Sequence, residues 1–166
     1  MSRRILFATA VGCLAVAASA VSSARQPLVI NLTSSVPAGL YVHSARPPRT
    51  GEFVLVLLPM QLRQLAARRG YLPLNRLLVK IIAAGPGEVV CRLGARVWVG
   101  GHNPVWALRT DTLGRPLPDW SGCRRLRPNE LFVLGRHSGS FDSRYFGPVN
   151  RHSVLSTLRP ILAFRH

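Results

Sequence analysis

Negative charge and lysine are both scarce in this sequence, so its charge balance is strongly one-sided. The 166 residues include 22 Lys+Arg against 6 Asp+Glu, a formal net charge of +16, and Lys80 is the single lysine. No basic block exceeds two residues, whereas nucleic-acid-binding proteins usually gather Lys and Arg on one face, with aromatic side chains between them. We interpret the arginine content as a codon preference. The charge therefore indicates an anionic neighbourhood, without a specific nucleic acid as partner.

Low-complexity tracts and internal repeats are absent, and only one apolar run approaches the length of a membrane span. Because apolar residues occur along the whole chain, intrinsic disorder is excluded. A single long run excludes a multi-span membrane protein, and the lack of a repeat of about 20–50 residues excludes solenoids and propellers. The length suits one domain with a core of its own.

The one long apolar run lies near the N-terminus. Residues 5–21 carry no charge and follow Arg3 and Arg4. As a helix this run would span about 25 Å, slightly less than the hydrocarbon core of a bilayer. Small residues at 17–20 resemble an export cleavage site. We predict that residues 1–24 are a cleaved export signal or a single membrane anchor, and that residues 25–166 are the domain outside the cytoplasm. A buried core helix is the alternative.

Cysteine is rare, with three in the chain, and Cys13 lies in the apolar run. Cys91 and Cys123 remain in the exported part, where an oxidising compartment favours a disulfide between them. Two free buried thiols are the alternative. No spacing typical of metal ligands accompanies these cysteines, so neither a metal nor a cofactor is predicted.

Short apolar segments bounded by Gly and Pro predict a mostly β fold with an antiparallel sheet and one or two short helices, after the N-terminal apolar helix. A helix is expected between Pro59 and Gly70, where Leu and Ala recur at helical spacing. A surface excursion that Cys123 pins down is expected at 102–128. The predicted strands are residues 53–58, 77–82, 96–99 and 131–134.

Three segments carry residues suited to catalysis. Lys80 lies between apolar neighbours, so a strand would bury it on either face, and burial lowers the pKa of an amine toward that of a general base. An edge-strand lysine that reaches water is the alternative. Residues 31–41 place Ser35 on a turn, where a hydroxyl and backbone N–H groups can face one point. Residues 138–149 pair Asp142 with Arg144. Ordinary surface turns also explain the last two segments.

Together these segments resemble the motifs of the signal peptidase I superfamily. Ser35 stands in N-x-T-x-S-x-P-x-G, Lys80 in LLVKIIAAGPGE, and residues 140–149 read SFDSRYFGPV. Proline two residues after Ser35, followed by Gly-Leu-Tyr, resembles the TraF-type conjugative-transfer peptidases. The segments at 114–118 and 120–123 are also similar to that subfamily.

The resemblance implies a serine endopeptidase with Ser35 as nucleophile and unprotonated Lys80 as general base. The Ser35 N–H and the Thr33 hydroxyl would form the oxyanion hole, and Ser140 would orient Lys80. Asp142, paired with Arg144, would give structural support, with a direct catalytic role as the alternative. None of the five histidines is needed for catalysis.

The resemblance also implies a substrate and a location. The substrate would be a conjugative pilin precursor or another exported protein, trimmed or cyclised in the bacterial periplasm or at the periplasmic face of the inner membrane. A general type I leader peptidase is the first alternative. A non-catalytic basic module that binds the cell envelope is the second.

Overall fold

The computed structural model describes residues 28–164 and confirms a mostly β, antiparallel fold. The predicted signal or anchor at 1–24 lies outside the described residues. No helix within residues 28–164 is long and apolar enough to cross a membrane. Two short α-helices are present in this part of the chain, α1 (Met60–Arg68) and α2 (Ser143–Phe146), with a 3-10 turn at Arg151–Ser153. The strands are β1 (Val29–Asn31), β2 (Gly39–Ser44), β3 (Phe53–Val56), β4 (Leu78–Ala84), β5 (Val89–Leu93), β6 (Arg96–Val99), β7 (Val105–Trp106), β8 (Gly122–Arg125), β9 (Glu130–Leu134), β10 (Val149–Asn150) and β11 (Val154–Ala163).

A seven-stranded antiparallel sheet in the order β1-β2-β11-β3-β4-β9-β10 forms the larger part of the fold. Strand β4 is an interior strand of this sheet, with β3 on one side and β9 on the other. Side chains alternate between the two faces of a strand. Lys80 therefore shares a face with Leu78 and Ile82, while Val79 points to the opposite face.

Both faces of this sheet are packed in the region of β4. Leu78, Ile82 and Ala84 belong to the main core, which also contains residues of α1 and of the smaller sheet. Val79 belongs to a second cluster, which includes Leu55 and Tyr41. Packing on both faces explains why β4 reads as a continuous apolar run rather than an alternating one.

The smaller sheet has four antiparallel strands in the order β7-β6-β5-β8. Its strands β5 and β8 are joined by the Cys91–Cys123 disulfide, between residues that face each other in the register. The predicted disulfide is thus present in the structure. The excursion at 102–128 is more ordered than expected, because it includes β7 and β8 and because part of it lines the cleft described below.

Candidate active site

Lys80 lies on β4, an interior strand of the larger sheet, and the residue is 1% exposed. Because β4 is flanked by strands on both sides, the alternative of an edge-strand lysine in contact with water does not apply. The amine has one hydrogen-bond partner among the described residues: Lys80 Nζ donates to Ser140 Oγ over 2.5 Å. A buried amine with a single hydroxyl partner is poorly compensated for its charge.

The surroundings of Lys80 lower its pKa to about 8. Burial is the largest cause, since it removes water from the charged form. The Asp142 carboxylate opposes this effect and the Arg144 guanidinium adds to it. A substantial fraction of Lys80 is therefore neutral at mildly alkaline pH, and a neutral amine can accept a proton.

Ser35 lies on the turn between β1 and β2, in contact with the loop that follows β9. The Arg136 N–H donates to the Ser35 carbonyl over 2.7 Å, which fixes the turn against that loop. The side chain of Ser35 is half-buried, and its Oγ lies 3.2 Å from Ser140 Oγ. No described residue accepts a hydrogen bond from the Ser35 N–H.

Ser140 connects Ser35 with Lys80. Its Oγ lies within hydrogen-bond distance of both side chains, and no direct hydrogen bond joins Ser35 to Lys80 within the described residues. The position of Ser140 depends on Gly135, because a Cβ on Gly135 would lie 2.0 Å from Ser140 Oγ. Sequence reasoning gave Gly135 no role, since a glycine does not reveal what fills the space beside it.

The turn that carries Ser35 is held by Asn31. Its buried side-chain amide donates to the carbonyls of Thr33, Val36 and Pro37, over 2.9, 3.2 and 3.1 Å. Asn31 is part of the quoted motif, but the sequence analysis assigned it no function. Thr33 lines the cleft, and its hydroxyl donates to Asn31 Oδ1 over 2.7 Å. Its role in an oxyanion hole stays a prediction and would require this hydroxyl to change partner.

Asp142 and Arg144 form a buried ion pair, as their spacing suggested. Arg144 Nη2 lies 2.6 Å and Arg144 Nε 2.9 Å from the two carboxylate oxygens of Asp142. The same carboxylate accepts from the Gly135 N–H over 2.7 Å, and Arg144 donates to the carbonyls of Gly135 and His137. The pair therefore shapes the 135–140 loop that carries Ser140. Within residues 28–164, Asp142 has no hydrogen bond with Lys80 or Ser35.

A cleft with a cavity of about 290 Å³ opens in front of these groups. Ser35, Lys80 and Ser140 lie in its wall, and most of the remaining lining is apolar. His137 also lines the cleft, and its Nε2 lies 2.9 Å from the hydroxyl of Ser34. Residues 28–164 contain no group of three or more His, Cys, Asp or Glu side chains that could hold a metal ion. The apolar and aromatic lining residues are Tyr71, Leu72, Leu78, Leu108, Leu117, Phe141 and Tyr145.

A hydroxyl connected to a buried lysine in a cleft is an arrangement that can perform acyl transfer. Comparison with known proteins agrees with that chemistry, because the family model described as "Signal peptidase, peptidase S26" matches residues 2–162. The chain belongs to this family. The Plasmid transfer protein TraF of Escherichia coli is 35% identical to this chain, over 81% of this chain and 82% of its own length. The Conjugal transfer protein TraF of Agrobacterium tumefaciens is 35% identical over 98% of this chain and 97% of its own length.

One more relative and one solved structure are also similar to this chain. The Probable conjugal transfer protein TraF of Sinorhizobium fredii is 36% identical over 81% of this chain and 77% of its own length. Among solved structures, a signal peptidase I of Enterococcus faecalis is 19% identical, with a TM-score of 0.41 over 70% of this chain and 100% of that one. The chain is thus a member of the peptidase S26 family whose relatives include conjugal transfer proteins.

Proposed function

We propose that this chain is a serine endopeptidase with a Ser35–Lys80 dyad that processes an exported protein in conjugation. The observation that carries the proposal is the hydrogen-bonded connection from Lys80 through Ser140 to Ser35, at the wall of a cleft. Peptidase S26 membership and the conjugal-transfer relatives support the same function.

The proposed reaction begins with Lys80 neutral. The hydrogen bonds then run from the Ser35 hydroxyl to Ser140 and from Ser140 to Lys80, so the proton of Ser35 can reach the amine as Ser35 Oγ attacks the substrate carbonyl carbon. The Ser35 N–H stabilises the oxyanion that forms. Protonated Lys80 returns the proton to the departing amine when the peptide bond breaks, which leaves an acyl-enzyme on Ser35.

The second step determines the product. Water attacks the acyl carbon for hydrolysis, with Lys80 again accepting a proton. An amine at the other end of the substrate can attack in place of water, which would release a ring. Both outcomes use the same residues.

The substrate we propose is a pilin precursor at the periplasmic face of the inner membrane. Relatives named for plasmid and conjugal transfer support a substrate of a conjugation system. The predicted export signal or anchor and the Cys91–Cys123 disulfide support an oxidising compartment outside the cytoplasm.

The experiment is conversion of the pilin precursor by the full chain in membranes, followed by mass spectrometry of the product. Wild type is compared with Ser35→Ala and Lys80→Ala, and Ser34→Ala serves as the matched control, because Ser34 is the adjacent exposed hydroxyl. We expect conversion by wild type and Ser34→Ala, and loss of conversion in both dyad variants. Circular dichroism of each variant verifies that it has folded.

Each outcome has one meaning. A linear product and a cyclic product differ in mass by one water molecule, which separates hydrolysis from ring closure. Conversion of an unrelated signal-peptide precursor at the same rate as the pilin would favour a general leader peptidase. Normal conversion by a folded Ser35→Ala or Lys80→Ala variant would contradict the dyad, and equal conversion in membranes that lack this chain would favour the envelope-binding module.

A further inference from the structure

One wall of the cleft is a hairpin formed by residues 109–117. The Leu117 N–H donates to the Arg109 carbonyl and the Asp111 N–H to the Arg115 carbonyl, each over 2.9 Å. Thr110 and Pro116 form the antiparallel bridge between them. Leu108, Asp111, Thr112 and Leu117 line the cleft that also contains Ser35 and Lys80. Any substrate that reaches Ser35 through this cleft therefore passes the hairpin.

The hairpin is fixed in place by Asp111. Asp111 Oδ2 accepts from the Tyr71 hydroxyl and from Arg115 Nε, each over 2.7 Å. Its Oδ1 accepts from the backbone N–H groups of Leu113 and Arg115, each over 2.9 Å. Arg115 also donates to the Arg69 carbonyl over 2.9 Å, which joins the hairpin to the C-terminal end of α1.

The base of the hairpin is held to the loop that carries Ser140. The Leu108 N–H donates to the hydroxyl of Tyr145 over 3.1 Å, and that hydroxyl donates to the Ser138 carbonyl. The hairpin is therefore attached to the Ser140 loop at its base and, through Asp111 and Arg115, to Tyr71 and Arg69 at the end of α1. This attachment gives the cleft a fixed width, which is what discrimination between side chains requires.

The carboxylate of Asp111 is not free to bind a substrate cation. A carboxylate offers about four acceptor positions, and Asp111 accepts four hydrogen bonds from its own chain. Its side chain is 6% exposed and already pairs with Arg115. An acidic residue in a cleft would ordinarily suggest a preference for lysine or arginine, and here the hydrogen bonding excludes that reading.

We propose that the 109–117 hairpin, with Leu108 at its base, is the specificity element of the cleft and seats an apolar substrate side chain between Leu72, Leu108 and Leu117. This inference rests on the proposed function, since it concerns which peptides reach Ser35. Leu108 is 43% exposed although it faces the cleft, so a bound apolar side chain would cover it. Burial of that surface favours binding.

The test uses a mixed-sequence peptide library, with the products read by mass spectrometry. We expect the folded full chain to prefer a leucine-sized apolar residue over Ala and Lys at one position near the cleaved bond. Leu108→Ala and Leu117→Ala should each reduce this preference by about tenfold or more, because each variant loses methylene contacts with the substrate side chain in an apolar pocket. Leu113→Ala is the matched control, because Leu113 is at the hairpin tip, 72% exposed, and outside the cleft lining.

Acylation of Ser35 by a small ester, which does not need the hairpin, is measured on the same samples. If wild type is not acylated at Ser35, the proposed function itself is contradicted. Normal acylation without an apolar preference overturns only the specificity inference, whether the library is cleaved unselectively, cleaved at basic residues or left intact. A preference equally reduced in Leu113→Ala overturns it too, because the effect would then not come from the cleft wall.

Discussion

Gly135 lies directly against Ser140, so close that a Cβ on Gly135 would be 2.0 Å from Ser140 Oγ and 2.6 Å from Ser140 Cβ. No residue that carries a Cβ can occupy this position without moving Ser140. The contact between a residue with no side chain and a hydroxyl therefore determines whether Lys80 and Ser35 are connected.

Gly135→Ala is expected to displace Ser140 and to lower kcat by about 100-fold or more, within the range attributed to general-base catalysis. Overpacking should also lower the free energy of unfolding by about 1–3 kcal/mol. Gly85→Ala is the control, because its Cβ would meet nothing closer than 3.7 Å. The double variant Gly135→Ala/Ser140→Gly removes both Ser140 atoms that the new Cβ would meet, so it should recover part of this stability without recovering activity. An active Gly135→Ala variant would contradict this account.

Peptidase activity should depend on the ionisation of Lys80. Its pKa is lowered to about 8, chiefly by burial, and only the neutral amine accepts a proton. We expect kcat/KM to rise about tenfold per pH unit at lower pH and to level off above a pH of about 8. The measurement is the pH profile of kcat/KM with a peptide that does not titrate in this range. A flat profile across neutral and mildly alkaline pH would exclude Lys80 as the base.

Lys80→Met is expected to inactivate the protein and to make its fold more stable. The folded state disfavours the charged amine, whereas the unfolded chain keeps the ordinary pKa of 10.5. The resulting destabilisation is fully present below about pH 8 and disappears as the pH rises toward 10.5. This destabilisation amounts to about 3 kcal/mol, so Lys80→Met should raise the free energy of unfolding by up to that amount at neutral pH. Urea unfolding at neutral and at alkaline pH measures it, and a gain that does not shrink with pH would contradict the assignment.

Asp142→Asn separates structural support from a direct role in proton transfer. The Asp142 charge raises the pKa of Lys80, so its removal should move the midpoint of the pH profile below about 8. Arg144 would be left buried without its ion-pair partner, at a cost to stability of about 3–5 kcal/mol. We expect an enzyme of lower stability whose pH profile of kcat/KM is shifted to lower pH, measured at a temperature at which the variant remains folded. Complete loss of activity at every pH in folded Asp142→Asn, with activity retained in a folded Arg144→Met variant that also lacks the ion pair, would instead indicate a direct role of the Asp142 carboxylate.

The dyad segments could be predicted because their chemistry is local in the sequence. Lys80 is buried since β4 is apolar on both faces, and this is visible in residues 77–82. The Asp142–Arg144 pair follows from a spacing of two residues in one short segment. The strand predicted at 96–99 was found with those ends, and the predicted helix and the strands at 53–58, 77–82 and 131–134 were found with shifted ends. These elements could be predicted because their apolar pattern is also local in the sequence.

The parts of the fold and of the site that could not be predicted depend on contacts between residues distant in sequence. Strand β11 lies between β2 and β3, over 100 residues away from both in sequence for most of its length, and its half-exposed sequence with Pro160 beside a bulge gives little strand signal. The 109–117 hairpin has the Gly, Pro and Arg content of a surface loop, and its contacts with the distant residues Tyr71 and Arg69 make it a wall of the cleft. Gly135 shows its importance only beside Ser140.

The central claim, that Ser35 is a nucleophile activated by Lys80, is tested most directly by trapping the acyl-enzyme. A small activated ester is added to wild type, Ser35→Ala, Lys80→Ala and Ser34→Ala, and the modified residue is mapped by mass spectrometry at a pH near 9. The account predicts a single adduct on Ser35 in wild type and Ser34→Ala, and none in the other two. An adduct on another residue, or equal labelling of Lys80→Ala, would contradict it.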